Sequence, residues 1–223
     1  MLCQFTVKNF KSIRDEVTFD MQAAAISEHE DRIIIDKDEE KYLPVSAIYG
    51  PNGGGKSNVL AALHTLVAKV LRPLFATEDS EEKVLLQKKI IVEPFVFSES
   101  KDEPTEFELF FRTAVSEYRY ILHVKRELVL YESLDRVKLE TGRKSALFTR
   151  DENGIVLKGA FAKLKVSDEL SKTLTLLSYL GIAYKGNAVV KDVLSWFEYG
   201  IEFLNYGNPI QELRMAVSTS EEA

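Results

Sequence analysis

The chain has 223 residues, with 45% hydrophobic and 29% charged residues and a formal net charge of −6, a composition typical of a globular protein and unlike that of a general nucleic-acid binder. No apolar run approaches the roughly 18 residues of a membrane span, and the N-terminus lacks the basic and apolar regions of a signal peptide. One cysteine excludes an internal disulfide, and with three scattered histidines it gives no zinc pattern, so we expect a cytoplasmic protein without a membrane partner.

The N-terminal residues predict a β-hairpin. In "LCQFTVKNF" apolar and polar residues alternate as in a half-buried strand, and "EVTFDM" predicts a second strand, with "KSIRD" as the connection. "RIIID" (32–36) predicts a short apolar strand in a charged loop. "LPVSAIYG" (43–50) is apolar without alternation, which is typical of a buried central strand in a parallel sheet.

A helix is predicted after three consecutive glycines, because apolar residues recur at helical spacing from Val59 to Leu71. Pro73 is expected to end this helix. "ATEDSEEK" (76–83) predicts an acidic loop or a short helix. "KKIIVEPFVF" (88–97) predicts a strand interrupted by Pro94, and therefore an edge or a bend.

The second half of the chain changes from strands to helices. Strands are predicted for "EFELFFRTA", "YRYILHVKRE" and "LVLYESLDRVKLE", and Asn153-Gly154 between two apolar runs indicates a further hairpin. From Ser167, a candidate N-cap, leucines recur at helical spacing, and "NAVVKDVLSWFEYGIEFL" predicts another helix. The polar tail "STSEEA" is expected to fray.

Positive charge is concentrated between residues 112 and 165, which carry 12 Lys or Arg against 7 Asp or Glu. Such a section can contact nucleic-acid phosphates, whereas the plainer interpretation is a set of solvated hairpins. We favour the solvated hairpins and keep nucleic acid as a possible partner of this section.

The segment "GPNGGGKS", Gly50 to Ser57, fits the Walker A pattern G-x-x-x-x-G-K-[ST]. Glycine tolerates the positive φ angles and the close backbone approach that a loop needs when its N–H groups surround a polyphosphate. The predicted helix that follows adds its partially positive N-terminus at the same place. The sequence therefore predicts a phosphate-binding loop between a strand and a helix.

Two motifs carry a resemblance to a known family. "GPNGGGKSN" resembles the P-loop of ABC-type ATPases of the SMC and RecF kind, which commonly carry G-x-N-G-x-G-K-S-N, and "FTVKNFKSI" is similar to the opening strand and Asn-Phe-Lys/Arg-Ser sequence of those proteins. The chain thus resembles the N-terminal half of AAA-type ATP-binding proteins related to SMC, RecF and the OLD family. Many of these serve in bacterial anti-phage or restriction-linked systems.

The resemblance implies an α/β P-loop NTPase fold, specifically an ABC-type ATPase head N-lobe with a strand-rich insertion and a helical segment. The implied divisions are 1–111 for the N-lobe, 112–166 for the insertion and 167–223 for the helical segment. ATP and Mg²⁺ are the implied cofactors. The implied nucleotide-binding residues are Lys11, Gly50, Asn52, Gly53, Gly54, Gly55, Lys56, Ser57 and Asn58.

Three of these residues have particular roles. Lys56 would stabilise charge on the transferring phosphoryl group, which makes it the candidate catalytic residue, and the Ser57 hydroxyl would bind Mg²⁺. Lys11 matches the basic residue that reaches toward the nucleotide in this family. From the residues alone, Lys11 is interpreted as a solvated surface lysine.

Several motifs of the complete ATPase are not found in this sequence. A Walker B strand ending in Asp-Glu, a signature loop and a switch histidine are expected after the P-loop. The best substitutes, Asp36, Glu93 and Glu132, are interpreted as residues of plain strands that end at the surface, and the histidines as surface or packed residues. A GTPase is disfavoured because N-K-x-D is missing, and no carboxylate cluster supports a nuclease.

These observations predict ATP–Mg²⁺ binding by the N-terminal part of an ATPase. Hydrolysis would require a homodimer, a C-terminal half or a partner subunit that supplies the missing motifs. The alternative is a nucleotide-sensing module that does not hydrolyse ATP and that holds a partner protein.

Overall fold

The computed structural model describes residues 1–25, 30–75, 90–97, 99–167 and 170–204. The predicted acidic segment 76–83 and the polar tail therefore lie outside the described residues. The described strands are β1 (Leu2–Lys8), β2 (Val17–Asp20), β3 (Ile34–Ile35), β4 (Lys41–Tyr42), β5 (Thr105–Arg112), β6 (Ser116–Lys125), β7 (Leu128–Lys138), β8 (Lys144–Asp151) and β9 (Gly154–Leu157). The described α-helices are α1 (Lys56–Phe75), α2 (Leu176–Ala183) and α3 (Ala188–Tyr199).

A seven-stranded antiparallel sheet organises the fold, in the order β2-β1-β5-β6-β7-β8-β9. The predicted N-terminal hairpin is confirmed, with Phe5 opposite Phe19. The hairpin at Asn153-Gly154 is also confirmed, and Gly154 has the positive φ of 127° that favours glycine at this turn. Helices pack on the sheet, and the predicted α/β class is confirmed. Strands on both sides of residue 112 belong to this one sheet. The division of the chain into 1–111, 112–166 and 167–223 stays a prediction.

The core lies between one face of the sheet and the three helices. Alternate residues of β6 point into it, since Tyr118, Tyr120, Leu122 and Val124 are fully buried. On α3, Trp196 and Phe197 complete an aromatic cluster with β5 and β6, in which the Phe111 and Trp196 ring centroids lie 4.6 Å apart. This packing fixes the second half of the chain against the sheet.

Helix α1 is a core helix. Its buried residues recur at helical spacing and face the sheet and the other helices: Val59, Ala62, Leu63, Leu66, Val67, Lys69 and Val70. By length and composition alone this helix could also cross a membrane. However, 39% of its most apolar stretch is already buried inside the protein. A core helix of a globular domain accounts for both properties.

The prediction that Pro73 ends this helix is wrong, because α1 continues through Pro73 to Phe75. Proline has no N–H group to donate to the carbonyl oxygen of Lys69, four residues earlier. The Ser178 hydroxyl of α2 lies near that region, 2.7 Å from the Val70 carbonyl oxygen and 3.5 Å from that of Lys69. The Ser178 hydroxyl thus joins α2 to α1 in the turn before Pro73, chiefly through the Val70 carbonyl oxygen.

The helix after residue 166 also begins later than predicted. Ser167 is not its cap, because α2 begins at Leu176 and the Thr175 side chain accepts a hydrogen bond from the Ser178 N–H. The loop before it is held instead by Arg150, whose guanidinium donates to the carbonyl oxygens of Leu174 (2.7 Å) and Ser171 (3.1 Å). The next helix, α3, is confirmed, and Asn187 caps it.

Residues 43–50, predicted as a buried central strand, form no strand in the structure. Val45 is 78% and Tyr49 90% exposed, so the prediction is wrong. A strand is buried in a parallel sheet only when strands flank it and helices cover both faces. Among the described residues, no strand pairs with this segment. The predicted strand at 88–97 is likewise not formed over its described residues, 90–97.

Glu132 corrects another prediction, since it is not a strand residue at the surface. It is fully buried within β7, and its carboxylate accepts hydrogen bonds from the N–H groups of Leu176 (2.6 Å) and Leu177 (2.9 Å) and from the Tyr120 hydroxyl (2.9 Å). Burial raises the pKa of Glu132, and these donors oppose that rise. A buried carboxylate thus lies at the N-terminus of α2, where the helix dipole favours negative charge.

A buried lysine belongs to the same region. Lys69 of α1 is 5% exposed, and its ammonium donates to the carbonyl oxygens of Glu127 (2.8 Å) and Thr173 (3.4 Å). Burial lowers the pKa of Lys69 to about 8, although the charges of Glu127 and Glu132 act in the opposite direction. Lys69 therefore joins α1 to the β6–β7 turn and to the loop before α2.

We predict that Glu132→Gln lowers the free energy of unfolding by about 1–3 kcal/mol, because the amide turns an NH₂ group toward a buried N–H donor and leaves that donor unsatisfied. The measurement is urea unfolding at neutral pH. Glu140→Gln, at an exposed position, is the matched control and should change stability by less than about 0.5 kcal/mol. Equal midpoints for Glu132→Gln and Glu140→Gln would show that the buried contacts contribute nothing.

Candidate nucleotide-binding site

The glycine-rich segment forms a loop directly before α1, as the sequence predicts. Gly53 and Gly55 have φ angles of 79° and 84°, a region that disfavours residues with a Cβ atom. A Cβ atom on Gly54 would lie 3.0 Å from the Pro51 carbonyl oxygen, which is closer than ordinary contact. Glycine is thus required at positions 53 and 55 by the positive φ angle, and at position 54 because the Pro51 carbonyl oxygen lies so close.

Lys56 extends across this loop. Its ammonium donates hydrogen bonds to the carbonyl oxygens of Gly50 and Pro51, each at 2.7 Å. These contacts hold a full positive charge at the open side of the loop. A phosphate that binds here would meet this ammonium together with the N-terminus of α1, which begins at the same residue.

The first turn of α1 suits an anion. It contains no acidic residue that would neutralise the positive end of the 20-residue helix, and Ser57 presents an exposed hydroxyl there. Asn52 and Gly53 are exposed on the loop, and a Cβ atom on Gly53 would meet no atom within 4 Å. The residues present therefore fit a polyphosphate, with Lys56 as the cation and Ser57 as one oxygen ligand for Mg²⁺.

The hairpin connection that follows β1 packs beside the loop. Asn58 of α1 donates from its side-chain amide to the Ser12 hydroxyl at 2.6 Å, and a Cβ atom on Gly55 would lie 3.1 Å from the same oxygen. The sequence analysis did not identify Ser12 as a site residue. The only signal available was its position within the "NFKS" motif, which matched the family at Lys11.

Asn9, the first residue of that motif, is a buried connector. Its side-chain amide donates to the carbonyl oxygens of Glu103 (3.0 Å) and Pro104 (3.2 Å), and its side-chain oxygen accepts from the Phe95 N–H (3.0 Å). Its φ of 56° lies in the left-handed region, which asparagine tolerates better than most residues. Asparagine is therefore suited to this position by conformation and by hydrogen bonding together.

Lys11 is exposed at the tip of this turn. Its backbone N–H donates to the Glu93 carbonyl oxygen (2.9 Å), and its ammonium lies 5.5 Å from the centroid of the Phe10 ring. No hydrogen bond between its side chain and the glycine-rich loop is present among the described residues. A role for Lys11 at the nucleotide stays a prediction.

Two of the three acidic substitutes for a Walker B residue, Asp36 and Glu132, are engaged elsewhere, whereas Glu93 is exposed. Asp36 and Asp38 accept hydrogen bonds from the buried guanidinium of Arg112, at 3.0 and 2.7 Å, and that contact holds the pKa of Asp38 below its usual range. Glu132 is bound to α2, as described above. Within the described parts of the chain, no group of three or more His, Cys, Asp or Glu residues could hold a metal ion. Binding of Mg²⁺ through Ser57 therefore stays a prediction.

The basic section 112–165 has few freely presented guanidinium groups. Arg112 and Arg150 are 6% and 8% exposed, and both are bonded within the protein. Arg119 is more exposed but forms an ion pair with Glu108. The basic residues left at exposed positions include Lys125, Lys138, Arg143 and Lys144 in the turns at the two ends of β7. Nucleic-acid binding by this section stays an untested prediction.

Comparison with known proteins adds one finding to this geometry. A family model described as "AAA domain, putative AbiEii toxin, Type IV TA system" matches residues 45–189, which include the glycine-rich loop, α1, the strands from β5 to β9, and α2. The match does not include the turn that contains Ser12. None of the curated proteins compared matches the chain.

We predict that Asn9→Ala lowers the free energy of unfolding by about 2–3 kcal/mol, because it leaves one buried N–H and two carbonyl groups without their partner. Chemical denaturation measures the change, with Gln22→Ala, an exposed side chain in the same region, as the control. Asn9→Asp keeps the shape and the tolerance of positive φ but places an oxygen against two carbonyl oxygens, so it should also destabilise. A stable Asn9→Asp variant would contradict the assigned amide orientation.

Proposed function

We propose a function for this chain from its family, since it belongs to the AAA domain family that is described as a putative AbiEii toxin of a type IV toxin–antitoxin system. A domain of this family is a P-loop ATPase domain that binds ATP with a divalent metal ion. The proposal is that the chain binds ATP–Mg²⁺ at the glycine-rich loop as the N-terminal part of an ATPase related to SMC, RecF and OLD proteins. The observation that carries it is the Lys56 ammonium, held across the loop at the N-terminus of α1.

Each site residue has a physical task in this proposal. The glycines let the loop backbone approach the phosphates, and Lys56 exchanges its contacts with Gly50 and Pro51 for contacts with phosphate oxygens. Ser57 supplies a hydroxyl to Mg²⁺, and the bound metal supplies charge neutralisation to the phosphates. Asn52 is placed on the same loop and Asn58 in the first turn of α1, and Lys11 extends from the neighbouring turn.

A partner is proposed from the apolar surface beside the site. Residues 43–50 present Val45, Ile48 and Tyr49, and residues 90–97 present Ile91, Val96 and Phe97, all of them exposed. Two exposed segments with this apolar composition are suited to being covered by further elements of a longer domain. We propose that the C-terminal half of the ATPase, as the same chain or as a partner subunit, covers them, and that this half brings the Walker B and signature motifs. A homodimer would then close the site.

The proposed setting is a bacterial anti-phage or restriction-linked system. Its support is the resemblance of the two N-terminal motifs and the description of the family as a toxin of a toxin–antitoxin system. Localisation in the cytoplasm belongs to the same proposal.

We predict that Lys56→Ala abolishes binding of a fluorescent ATP analogue in the presence of Mg²⁺, because it removes the cation that meets the phosphates. Lys125→Ala, which changes an exposed lysine at the end of β6, should bind as the wild-type protein does. Thermal unfolding checks that the variant is folded. Because Lys56 is not a core residue, we expect its unfolding temperature to be close to that of the wild type. If Lys56→Ala binds the analogue as tightly as the wild type, the proposed site is wrong.

The second candidate function is a nucleotide-sensing module that does not hydrolyse ATP and that holds a partner protein. The observation that favours it is the lack of a metal-binding carboxylate cluster in the described regions.

Phosphate release by the isolated chain tests for hydrolysis. We expect nucleotide binding without turnover above the Lys56→Ala background, because the sequence contains no Walker B strand ending in Asp-Glu after the glycine-rich loop. Turnover above that background would rule out the module and would show that this chain supplies its own catalytic carboxylate.

A further inference from the structure

A contact between the N-terminal turn and the helix of the glycine-rich loop joins residues 46 positions apart. The Asn58 amide donates to the Ser12 hydroxyl at 2.6 Å, in the turn of α1 that also contains Lys56 and Ser57. The same hydroxyl oxygen lies 3.1 Å from the position of a Cβ atom on Gly55. Ser12 therefore contacts the first turn of α1 at Asn58 and lies beside the last glycine of the loop, where an added Cβ atom would be crowded.

The turn that carries Ser12 is held firmly. Phe10 and Ile13 exchange backbone hydrogen bonds of 2.8 and 2.7 Å across it, so Ser12 lies within a closed turn. The Asn9 N–H donates to the Arg14 carbonyl oxygen (3.2 Å), and the Thr105 hydroxyl donates to the Asn9 carbonyl oxygen (2.6 Å). With the Asn9 side-chain contacts, these bonds fix the turn to the start of β5. The position of Ser12 is thus fixed by the hydrogen bonds of this turn.

We propose that Ser12 is a positioning residue for the phosphate-binding loop, because its hydroxyl accepts a hydrogen bond from Asn58 beside Gly55 and so sets where Lys56 and Ser57 are presented. The inference rests on the proposed binding of ATP–Mg²⁺ at this loop. Phosphate ligands are held by several donors at once, so a small displacement of the first helical turn weakens several contacts together.

The contribution of this contact to global stability is small. Ser12 is exposed and Asn58 is half-buried, so water replaces the hydrogen bond when it is lost. Two measurements, nucleotide affinity and unfolding temperature, therefore distinguish a positioning role of Ser12 from a purely structural one. Loss of positioning weakens nucleotide binding with little change in the unfolding temperature, whereas loss of a structural contact lowers that temperature.

The sharpest comparison is between Ser12→Thr and Ser12→Val, which have nearly the same shape and differ by one hydroxyl group. Affinity for ATP–Mg²⁺ is measured by calorimetry for both, for the wild type and for Lys56→Ala. We expect Ser12→Thr to bind like the wild type and Ser12→Val to bind about fivefold or more weakly, with similar unfolding temperatures without nucleotide. Asn58→Ala should show a similar loss, and the double variant Ser12→Val/Asn58→Ala should lose no more than either one.

The outcomes separate this inference from the proposed function. If the wild type binds, Lys56→Ala does not, and Ser12→Val binds like Ser12→Thr, the positioning role is wrong and the site stands. Additive losses in the double variant also overturn it, because they exclude action through Asn58. If neither the wild type nor the Ser12 variants bind ATP–Mg²⁺, the proposed function fails and the positioning role fails with it.

Amide hydrogen exchange, measured without nucleotide, tests whether Ser12 restrains the glycine-rich loop. Ser12→Val should raise the exchange rate of the backbone amides of residues 53–58 relative to Ser12→Thr, because the loop loses its lateral contact. Amides of β8, four strands from β1 in the sheet, are the internal reference. Equal exchange in residues 53–58 for the two variants would overturn the inference whatever the nucleotide affinity is.

Discussion

The buried carboxylate of Glu132 is the contact on which the arrangement of helices and sheet depends. It lies inside β7 and binds the first N–H groups of α2, so the strand-rich part and the helical part of the chain meet at one charged group. An ionised group in the core costs free energy unless several donors surround it. Glu132 has two N–H groups, the Tyr120 hydroxyl and, at 3.9 Å, the guanidinium of Arg150. The position of α2 is therefore restricted to one that keeps these donors in place.

The sequence was informative where one segment determines its own conformation. The glycine-rich loop, the hairpin at Asn153-Gly154 and the helix after Lys56 all follow from local backbone requirements, and the structure contains each of them. The alternation in β6 likewise predicts a strand with one buried face. These features were predictable because glycine conformation and hydrophobic periodicity act over a few residues.

The sequence was misleading where the outcome depends on distant partners. Residues 43–50 have the composition of a buried strand, but burial requires neighbouring strands that the described residues do not provide. Glu132 has the pattern of a strand residue at the surface, and only the packing of α2 over β7 reveals its buried role. The contact between Ser12 and Asn58 joins two polar residues that carry no periodic signal. Polar contacts of this kind leave no local pattern, so they were found only in the structure.

The contacts of α1 indicate how the nucleotide site is connected to the rest of the fold. Ser12 contacts its first turn, Lys69 binds the Glu127 and Thr173 carbonyl oxygens farther along, and Ser178 binds the Val70 carbonyl oxygen. A 20-residue helix is about 30 Å long, and these contacts lie toward its two ends. Because α1 is held at both ends, it cannot shift at the glycine-rich loop without straining the β6–β7 turn and α2. Residues 90–97 are tied to the same turn, because the Val92 N–H donates to the Arg126 carbonyl oxygen at 2.8 Å. A displacement of α1 at the glycine-rich loop would therefore extend to the strand-rich section and to these residues.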